Sequence, residues 1–225
     1  MSAAVDWSPL IASLRIAVTS TILSVIVGIP TAWLLSRGKR KARAAWESIV
    51  TLPLVLPPTV LGYYLLVALG VHSPLGRVYQ SITGGPLVFS WQGASLAVSL
   101  VSMPLLIRTL QLAFLDVDSR ILDSARLEGA SEGEILRRML LPLAQRALWA
   151  GIALSFARAL GDFGVTLMVG GNMPGSRGTH TLSMAIYDSI NAGDDGTAVM
   201  FVWVLTGISV FVSIYASLQA SRSRH

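Results

Sequence analysis

The 225-residue chain contains no cysteine, and only 13% of its residues are charged. Without cysteine, neither disulfide bonds nor thiolate metal sites can contribute to the fold. Hydrophobic residues make up 53% of the chain, so it has too few polar groups to cover the surface of a soluble domain. The composition therefore predicts a protein that crosses a membrane several times.

Motifs that carry enzyme chemistry are also missing. The sequence has no GxxxxGK[ST] phosphate loop, no HExxH and no cluster of cysteine and histidine. We therefore predict no catalytic residues, no cofactor and no metal site, and any energy from ATP must come from a partner protein. His72 and His180 fall in predicted outer loops, where we interpret them as solvated side chains. The Asp194-Asp195-Gly196 sequence lacks the other ligand positions of a calcium loop and predicts a plain turn.

The net charge of +5 could suggest binding to nucleic acid. However, the basic residues lie beside apolar segments, and no recognition motif accompanies them. We therefore predict no nucleic-acid partner.

Five segments are long and apolar enough to cross a bilayer, for which about 20 residues are needed. They are residues 16–35, 49–69, 94–114, 140–169 and 198–218. The fourth is long enough to include a cytoplasmic turn or a tilt. The predicted fold is an all-α polytopic membrane protein with about five transmembrane helices, and residues 1–225 form one membrane domain.

Basic residues cluster on one side of these spans. They follow the first span, the third span and the fifth span: Arg37, Lys39, Arg40, Lys41, Arg43, Arg120, Arg126, Arg137, Arg138, Arg222 and Arg224. The N-terminal tail and the other two loops hold only Arg15, Arg77 and Arg177. By the positive-inside rule, the N-terminus is outside, and the C-terminus and the loop after the third span are cytoplasmic.

The outer segments are less regular than the spans. Turn residues interrupt both of them: Gly84-Gly85-Pro86 in the first, and Pro174-Gly175 and Gly193 to Gly196 in the second. Between the turns of the second segment, apolar residues have helical spacing: Leu182, Ala185, Ile186 and Ile190. This pattern predicts a short interfacial or gate helix.

The loop 117–142 is polar and has the signals of two short helices. Asp118 or Ser119 can cap the first helix, and Gly129 can end it with a left-handed turn. Ser131 and Glu134 have the spacing of a capping box for the second helix. The apolar run that follows connects this helix to the fourth span. A short helix that is rigidly attached to a spanning helix suits the transmission of motion.

These residues also carry a family resemblance. The loop resembles the EAA loop of bacterial ABC importer permeases at Asp123, Ser124, Ala125, Gly129, Met139, Leu141 and Pro142. Identity with that pattern holds at Ala125, Gly129 and Leu141-Pro142, while aspartate, serine and methionine replace glutamate, alanine and isoleucine. The resemblance implies that loop 117–142 is the coupling loop that docks in a cytoplasmic ATPase.

Two further stretches, residues 52–66 and 156–175, are similar to the membrane subunit of molybdate ABC importers. Asp162 stands where that family usually has glutamate. The likeness implies a homodimeric permease of the bacterial inner membrane, with a cytoplasmic ATP-binding subunit and a periplasmic or lipid-anchored oxyanion-binding protein as partners. Molybdate, with tungstate as a look-alike, is the cargo that it implies.

Several residues are candidates for the translocation route or its gate. Arg158 and Asp162 are four residues apart, so they can form an ion pair that is purely structural, or Arg158 can line an anion route. Gly161 and Gly164 permit close approach of a neighbouring helix. Pro57 and Pro58, with Pro53, remove backbone donors and bend the second span, either for packing or to shape the route.

Three alternatives remain open from the sequence. A sulfate-type ABC permease would have the same architecture with another cargo. A secondary transporter needs no ATPase, but it should show repeats and an acidic ion-coupling site at the midplane. An intramembrane enzyme would need a nucleophile and a base, and no such pair is evident.

Overall fold

The computed structural model describes residues 6–38, 40–172 and 178–222. Within these residues every regular element is a helix, which confirms the predicted all-α fold. The α-helices are α1 Ser8–Arg37, α2 Arg40–Val55, α3 Pro58–Leu69, α4 Pro74–Thr83, α5 Trp91–Leu115, α6 Ser119–Leu127, α7 Glu132–Ile135, α8 Leu141–Leu143, α9 Gln145–Leu160, α10 Gly164–Gly170, α11 Leu182–Asn191 and α12 Asp195–Arg222. A π-helical turn, Leu136–Leu140, joins α7 to α8.

Helices α1, α5 and α9 form the centre of the molecule, and serines join them. The Ser20 hydroxyl donates to the Ser95 carbonyl at 2.9 Å, and the Ser155 hydroxyl donates to the Ser102 carbonyl at 2.7 Å. Small side chains of this kind let helix backbones approach closely, and their hydroxyls find acceptors that lipid cannot offer. Serine hydroxyls therefore connect the three central helices by hydrogen bonds within a largely apolar core.

Two glycines bring the same helices still closer around Leu106, which is fully buried. A Cβ atom on Gly151 would lie 2.7 Å from Leu106 Cδ1 and 3.2 Å from Leu106 Cα, and one on Gly28 would lie 3.2 Å from Leu106 Cδ2. Leu106 of α5 thus packs directly against the backbones of α1 and α9.

Three of the described helices are long and apolar enough to cross a membrane: Ser8–Arg37, Trp91–Leu115 and Asp195–Ala216. The first two contain the predicted spans 16–35 and 94–114, and the third covers residues 198–216 of the predicted span 198–218. The number rises to as many as five if each of two bent helix pairs counts as one span. The five-span arrangement itself stays a prediction.

The second predicted span, 49–69, is broken and not merely kinked. Helix α2 ends at Val55, α3 begins at Pro58, and the two axes meet at 107°. Pro57 has an extended conformation, with φ −54° and ψ 135°. A proline forces the residue before it away from helical angles, so the Pro57-Pro58 pair ends the helix. Pro53, by contrast, lies inside α2.

The fourth predicted span, 140–169, is broken twice. An 81° bend at Ala144 separates Glu132–Leu143 from α9, as the expected cytoplasmic turn would. The second break, at 161–163 between α9 and α10, is not in the prediction. The connection from loop 117–142 to α9 runs through the π-helical turn and this bend, so the second hairpin helix is not continuous with α9. The rigidity of this attachment stays a prediction.

The two ends of the central helices define two faces. Loop 117–142 lies at the C-terminal end of α1, which we call the hairpin face; the N-terminal ends of α1 and α5 define the far face. On the far face lies the predicted helix, α11, whose Leu182 amide donates to Ser13 Oγ at 2.7 Å. An unpredicted helix, α4, occupies part of the first outer segment. The predicted turn at Pro174-Gly175 lies outside the described residues.

A turn at 192–193 and a capping side chain precede α12. Gly193 has φ +74°, and Asp194 Oδ1 accepts a hydrogen bond from the Thr197 amide at 3.1 Å. Hydrogen bonds from Thr197 lower the pKa of the Asp194 carboxyl below its ordinary value. The prediction of a plain turn at Asp194-Asp195-Gly196 was therefore wrong in its position: the turn comes just before Asp194, and Asp195 and Gly196 lie in the first turn of α12.

The packing around Leu106 can be tested with one pair of glycines. We expect Gly151→Ala to destabilise the protein by about 1–3 kcal/mol, because its Cβ would overlap a fully buried side chain. Gly207→Ala in α12 is the control, since a Cβ there meets nothing within 4 Å and alanine favours the helix. The measurement is the thermal unfolding midpoint of the purified variants. Equal midpoints would contradict the close packing of α9 on α5.

Candidate functional site

We call residues 117–142 the hairpin. Its first helix, α6, begins and ends where the sequence predicts. Asp118 Oδ1 accepts a hydrogen bond from the Arg120 amide at 2.9 Å and caps α6. Gly129 has φ +90°, and its amide and that of Ala130 donate to the carbonyls of Arg126 and Ala125, each at 3.0 Å. This pair of bonds is the Schellman arrangement, which closes a helix through a left-handed residue.

The second helix begins with the predicted capping box. The Ser131 amide donates to Glu134 Oε2 at 3.0 Å, and the Glu134 amide donates to Ser131 Oγ at 3.4 Å. These reciprocal bonds satisfy two backbone donors at the start of α7. The hairpin is therefore a folded unit, and local hydrogen bonds define both of its helices.

The hairpin presents an outer surface and an inner surface. On the outer surface, 63% of the Asp123 side chain and 90% of Leu127 are exposed. On the inner surface, Ile135 and Leu140 are buried against Leu35 and Phe114, near the ends of α1 and α5. A cavity of about 420 Å³ lies between α6 and the π-helical turn, beside Gly129. The hairpin thus offers an uncovered helix while its base is held in the protein core.

The residues of the predicted coupling motif divide between these surfaces. Asp123, Ser124, Gly129 and Pro142 are exposed, whereas Ala125, Met139 and Leu141 are half-buried. Ala125, Met139 and Leu141 also pack against the cluster that contains Ile135. The motif therefore includes residues that a partner could contact and residues that anchor the hairpin.

An ion network that sequence reasoning missed attaches the hairpin to α1. Glu132 Oε1 lies 2.7 Å from Arg37 Nη2 and 3.1 Å from Arg126 Nε, and Arg126 Nη1 lies 2.6 Å from Asp123 Oδ1. Hydrogen bonds to Glu132 and then Asp123 raise the pKa of Arg126 above its ordinary value. The spacing of Asp123 and Arg126 could have indicated one pair, but nothing local indicates that Arg37 and Glu132 meet.

A second candidate site forms where two helix breaks meet. A Cβ atom on Gly164 would lie 2.8 Å from Pro58 Cβ, and one on Gly62 would lie 2.7 Å from Met168 Cβ. Helices α3 and α10 therefore run side by side from the breaks at Pro57-Pro58 and 161–163. Gly164 makes the close approach that was predicted for it. Gly161 does not, because among the described residues a Cβ atom on it would meet only the Ala157 carbonyl of the helix that it caps, at 3.6 Å.

Asp162 fixes the second of these breaks. Its Oδ1 lies 2.9 Å from Arg158 Nη1, which confirms the predicted pair, but α9 ends at Leu160, so the pair joins a helix to the break and not two turns of one helix. Its Oδ2 accepts two hydrogen bonds from Thr166, from the amide and from the hydroxyl, each at 2.9 Å. The side chain of Asp162 is 1% exposed and that of Arg158 is 31% exposed.

This arrangement explains how the break is tolerated. Irregular backbone at membrane depth persists only where protein or a polar cavity satisfies its donors and acceptors. Asp162 supplies acceptors to α10 and a counter-charge to Arg158, so its structural role is visible. A role of Pro57, Pro58, Arg158, Gly161, Asp162 or Gly164 in a route or gate stays a prediction.

The far face carries one polar cluster that changes an interpretation from the sequence. His180 Nε2 lies 3.0 Å from Asp188 Oδ2, and Asn172 Nδ2 donates to Asp188 Oδ1 at 2.9 Å. The His180 side chain is 22% exposed. The interpretation of His180 as a freely solvated side chain was therefore wrong. Among the residues that the structure describes, no group of three histidine or acidic side chains could hold a metal ion.

A protein-family model extends over both the hairpin and the paired helix breaks. The model that describes the inner membrane component of binding-protein-dependent transport systems matches residues 8–225. The chain belongs to this family. The resemblance that was read from the hairpin motif is confirmed, and the chain is a multi-pass membrane protein of the permease type.

Individual relatives in the family align over most of the chain. The protein is 36% identical over 206 residues to the molybdenum transport system permease protein ModB of Azotobacter vinelandii, which covers 92% of this chain and 89% of that one. It is 35% identical over 223 residues to ModB of Escherichia coli K12, which covers 97% and 96% of the two chains.

Solved structures of ABC transporters share the fold at lower identity. A chain of the MetNI methionine ABC transporter in an inward-facing conformation aligns with a TM-score of 0.73 and 19% identity, over 96% of this chain and 95% of that one. A chain of a bacterial alginate ABC transporter, in complex with a periplasmic protein that holds an alginate pentasaccharide, aligns with a TM-score of 0.68 and 16% identity, over 95% and 79%. These likenesses concern the fold alone.

The ion network of the permease can be measured with a double-mutant cycle. We expect Arg37→Gln and Glu132→Gln each to lower stability, and the double variant to lose no more than Glu132→Gln alone, because both changes remove the same contact. The coupling should be about 0.5–1 kcal/mol, since these side chains are partly exposed. The measurement is the thermal unfolding midpoint at low and at 1 M salt, where screening should remove the difference.

Arg137→Gln serves as the control for this cycle, because Arg137 is an exposed hairpin arginine that forms no ion pair within the described residues. Strictly additive losses at positions 37 and 132 would contradict a working contact between them.

The helix break gives an asymmetric prediction. Asp162→Leu should cost about 3–5 kcal/mol, because it removes the ion pair with Arg158 and the acceptor of both Thr166 hydrogen bonds. Arg158→Leu should cost less, because Asp162 retains both Thr166 donors. The double variant should recover only in part, since the buried Thr166 amide keeps no acceptor and this costs about 1–3 kcal/mol. The yield of monodisperse protein and its unfolding midpoint measure these effects. Full recovery in the double variant would mean that the bonds to Thr166 contribute nothing.

Proposed function

We propose that this chain is the translocation subunit of an ATP-driven molybdate importer, with tungstate as a second cargo. The observation that supports molybdate as the cargo is the similarity to permease proteins named for molybdenum transport, which extends over more than nine-tenths of the chain. No residue of the structure is assigned to selection among oxyanions. A sulfate-type cargo is the alternative that a transport assay must exclude.

In this proposal the hairpin docks in a groove of a cytoplasmic ATPase subunit, which binds and hydrolyses ATP. The geometry supports docking because α6 is a short helix that leaves Leu127 and Asp123 uncovered, and an exposed apolar side chain on a helix suits a groove. The buried base of the hairpin keeps α6 in a fixed orientation. The hairpin is therefore a contact through which force can enter the membrane domain.

A continuous path connects this contact to the paired helix breaks. Closure of two ATPase subunits would move two hairpins together, and the bend at Ala144 would pass the motion to α9. Helix α9 spans about 24 Å at 1.5 Å per residue and ends where Asp162 holds the second break. Gly164 beyond that break contacts Pro58, so movement of α9 would displace α10 and α3 together. Two copies of the chain would enclose the anion route between them.

The proposed orientation has the N-terminus outside and the hairpin and C-terminus in the cytoplasm. Its support is the clustering of basic residues beside the hairpin face, where Arg37 contacts Glu132. Lys39, Arg177 and Arg224, which enter the same argument, lie outside the described residues. With this orientation a periplasmic or lipid-anchored binding protein would deliver the oxyanion to the far face.

The proposal predicts the phenotype of a matched pair of hairpin variants. A Cβ on Gly129 or on Gly133 meets nothing within 4 Å, so only backbone conformation distinguishes the two sites. Gly129→Val should abolish most ATP-dependent uptake, because valine does not tolerate φ +90°. Gly133→Val, in the first turn of α7, should transport normally. The measurement is molybdate uptake and ATP hydrolysis in proteoliposomes that contain the permease, its ATPase and its binding protein.

Two outcomes of this experiment would contradict the proposal. Normal coupling of uptake to hydrolysis in Gly129→Val would mean that the hairpin is not the coupling element. If the wild-type complex takes up sulfate in preference to molybdate, the assigned cargo is wrong and sulfate replaces it.

A further inference from the structure

The far face carries a helix whose exposed side is apolar. In α4, Leu75, Val78 and Ile82 are 61%, 60% and 77% exposed. Positions separated by three and four residues lie on one face of a helix, so the three side chains form one stripe. An exposed amphipathic helix at the end of the spanning helices has the character of an interfacial helix, whose apolar face enters the boundary between headgroups and acyl chains.

A polar cavity of about 350 Å³ opens beside this stripe. Tyr79 and Thr83, on the adjacent face of α4, line one side of it. Arg15 of α1 and Trp91 and Gln92 of α5 line the other side. The side chains of Tyr79 and Gln92 form no hydrogen bond with other residues in the part of the chain that the structure describes. The cavity thus contains groups that can donate to a ligand.

Arg15 gives the cavity its charge. The guanidinium carbon lies 3.6 Å from the centroid of the Trp91 ring, so the aromatic face holds the cation in place. All 12 acidic residues of the sequence fall in the described segments, and none of their carboxylates lies within ion-pair distance of Arg15. The protein therefore leaves this positive charge available to an anion from outside.

We propose that the cavity binds the phosphate headgroup of an anionic phospholipid in the leaflet at the far face. Arg15 contacts the phosphate, Tyr79 and Gln92 donate to headgroup oxygens, and the acyl chains run along Leu75, Val78 and Ile82 of α4. The apolar stripe is the reason to assign a lipid, because a free oxyanion would make no use of it. Tryptophan at the membrane interface is consistent with this depth.

The test compares lipids and arginines in the purified full-length protein. We expect phosphatidylglycerol to raise the unfolding temperature in detergent more than phosphatidylcholine with the same acyl chains does. Arg15→Gln should weaken binding of phosphatidylglycerol about tenfold, as measured by native mass spectrometry, because a hydrogen bond to a charged group is lost. Arg77→Gln is the matched control, since Arg77 is an exposed arginine of α4 that does not line the cavity.

Two further variants test the site even if Arg15→Gln folds poorly. Arg15→Lys should retain most of the preference for phosphatidylglycerol, and Tyr79→Phe should reduce it about threefold through the loss of one donor. Equal binding of the two lipids, or equal losses in Arg15→Gln and Arg77→Gln, would overturn the site. Stabilisation by inorganic phosphate or molybdate equal to that by phosphatidylglycerol would overturn the lipid assignment in favour of a free anion.

Discussion

The absence of water inside a bilayer is the constraint on which the rest of the structure depends. Every backbone amide and carbonyl at that depth needs a partner in the protein, which is why the described chain is built from helices. The same constraint makes each interruption of a helix informative. At the break at 161–163, Asp162 accepts a hydrogen bond from the Thr166 amide at the start of α10, and at Pro57-Pro58 the prolines have no amide hydrogen to satisfy.

The two interruptions gain significance from their contact. Gly164 allows the start of α10 to lie against Pro58 at the start of α3, so the two breaks are in contact. Asp162 forms an ion pair with Arg158 of α9 and accepts a hydrogen bond from Thr166 of α10. In the proposed mechanism, a displacement of α9 would therefore also move α3. These contacts support the proposal that the helix-break site is a gate, which α9 would connect to the hairpin at its other end.

Much of the hairpin could be predicted from the sequence, because its features are local. A capping box, an N-cap and a left-handed glycine each depend on residues within one helical turn, and all three occur where the spacing indicates them. The contact between Arg37 and Glu132 could not be predicted in this way, since 95 residues separate the partners. No periodicity or capping rule reaches across such a separation.

The sequence by itself determined the membrane class, the helical fold and the two caps of the hairpin, because composition and short-range hydrogen bonding suffice for these. Only the tertiary structure decided that Pro57-Pro58 breaks the helix through 107°, that a second break follows Leu160, and that Gly164 but not Gly161 meets a neighbour. The position of α4 beside Arg15 was decided in the same way. The groups that pack against a proline decide whether it bends or ends a helix. In the same way, the neighbouring helix decides which glycine is approached. These groups come from distant parts of the chain.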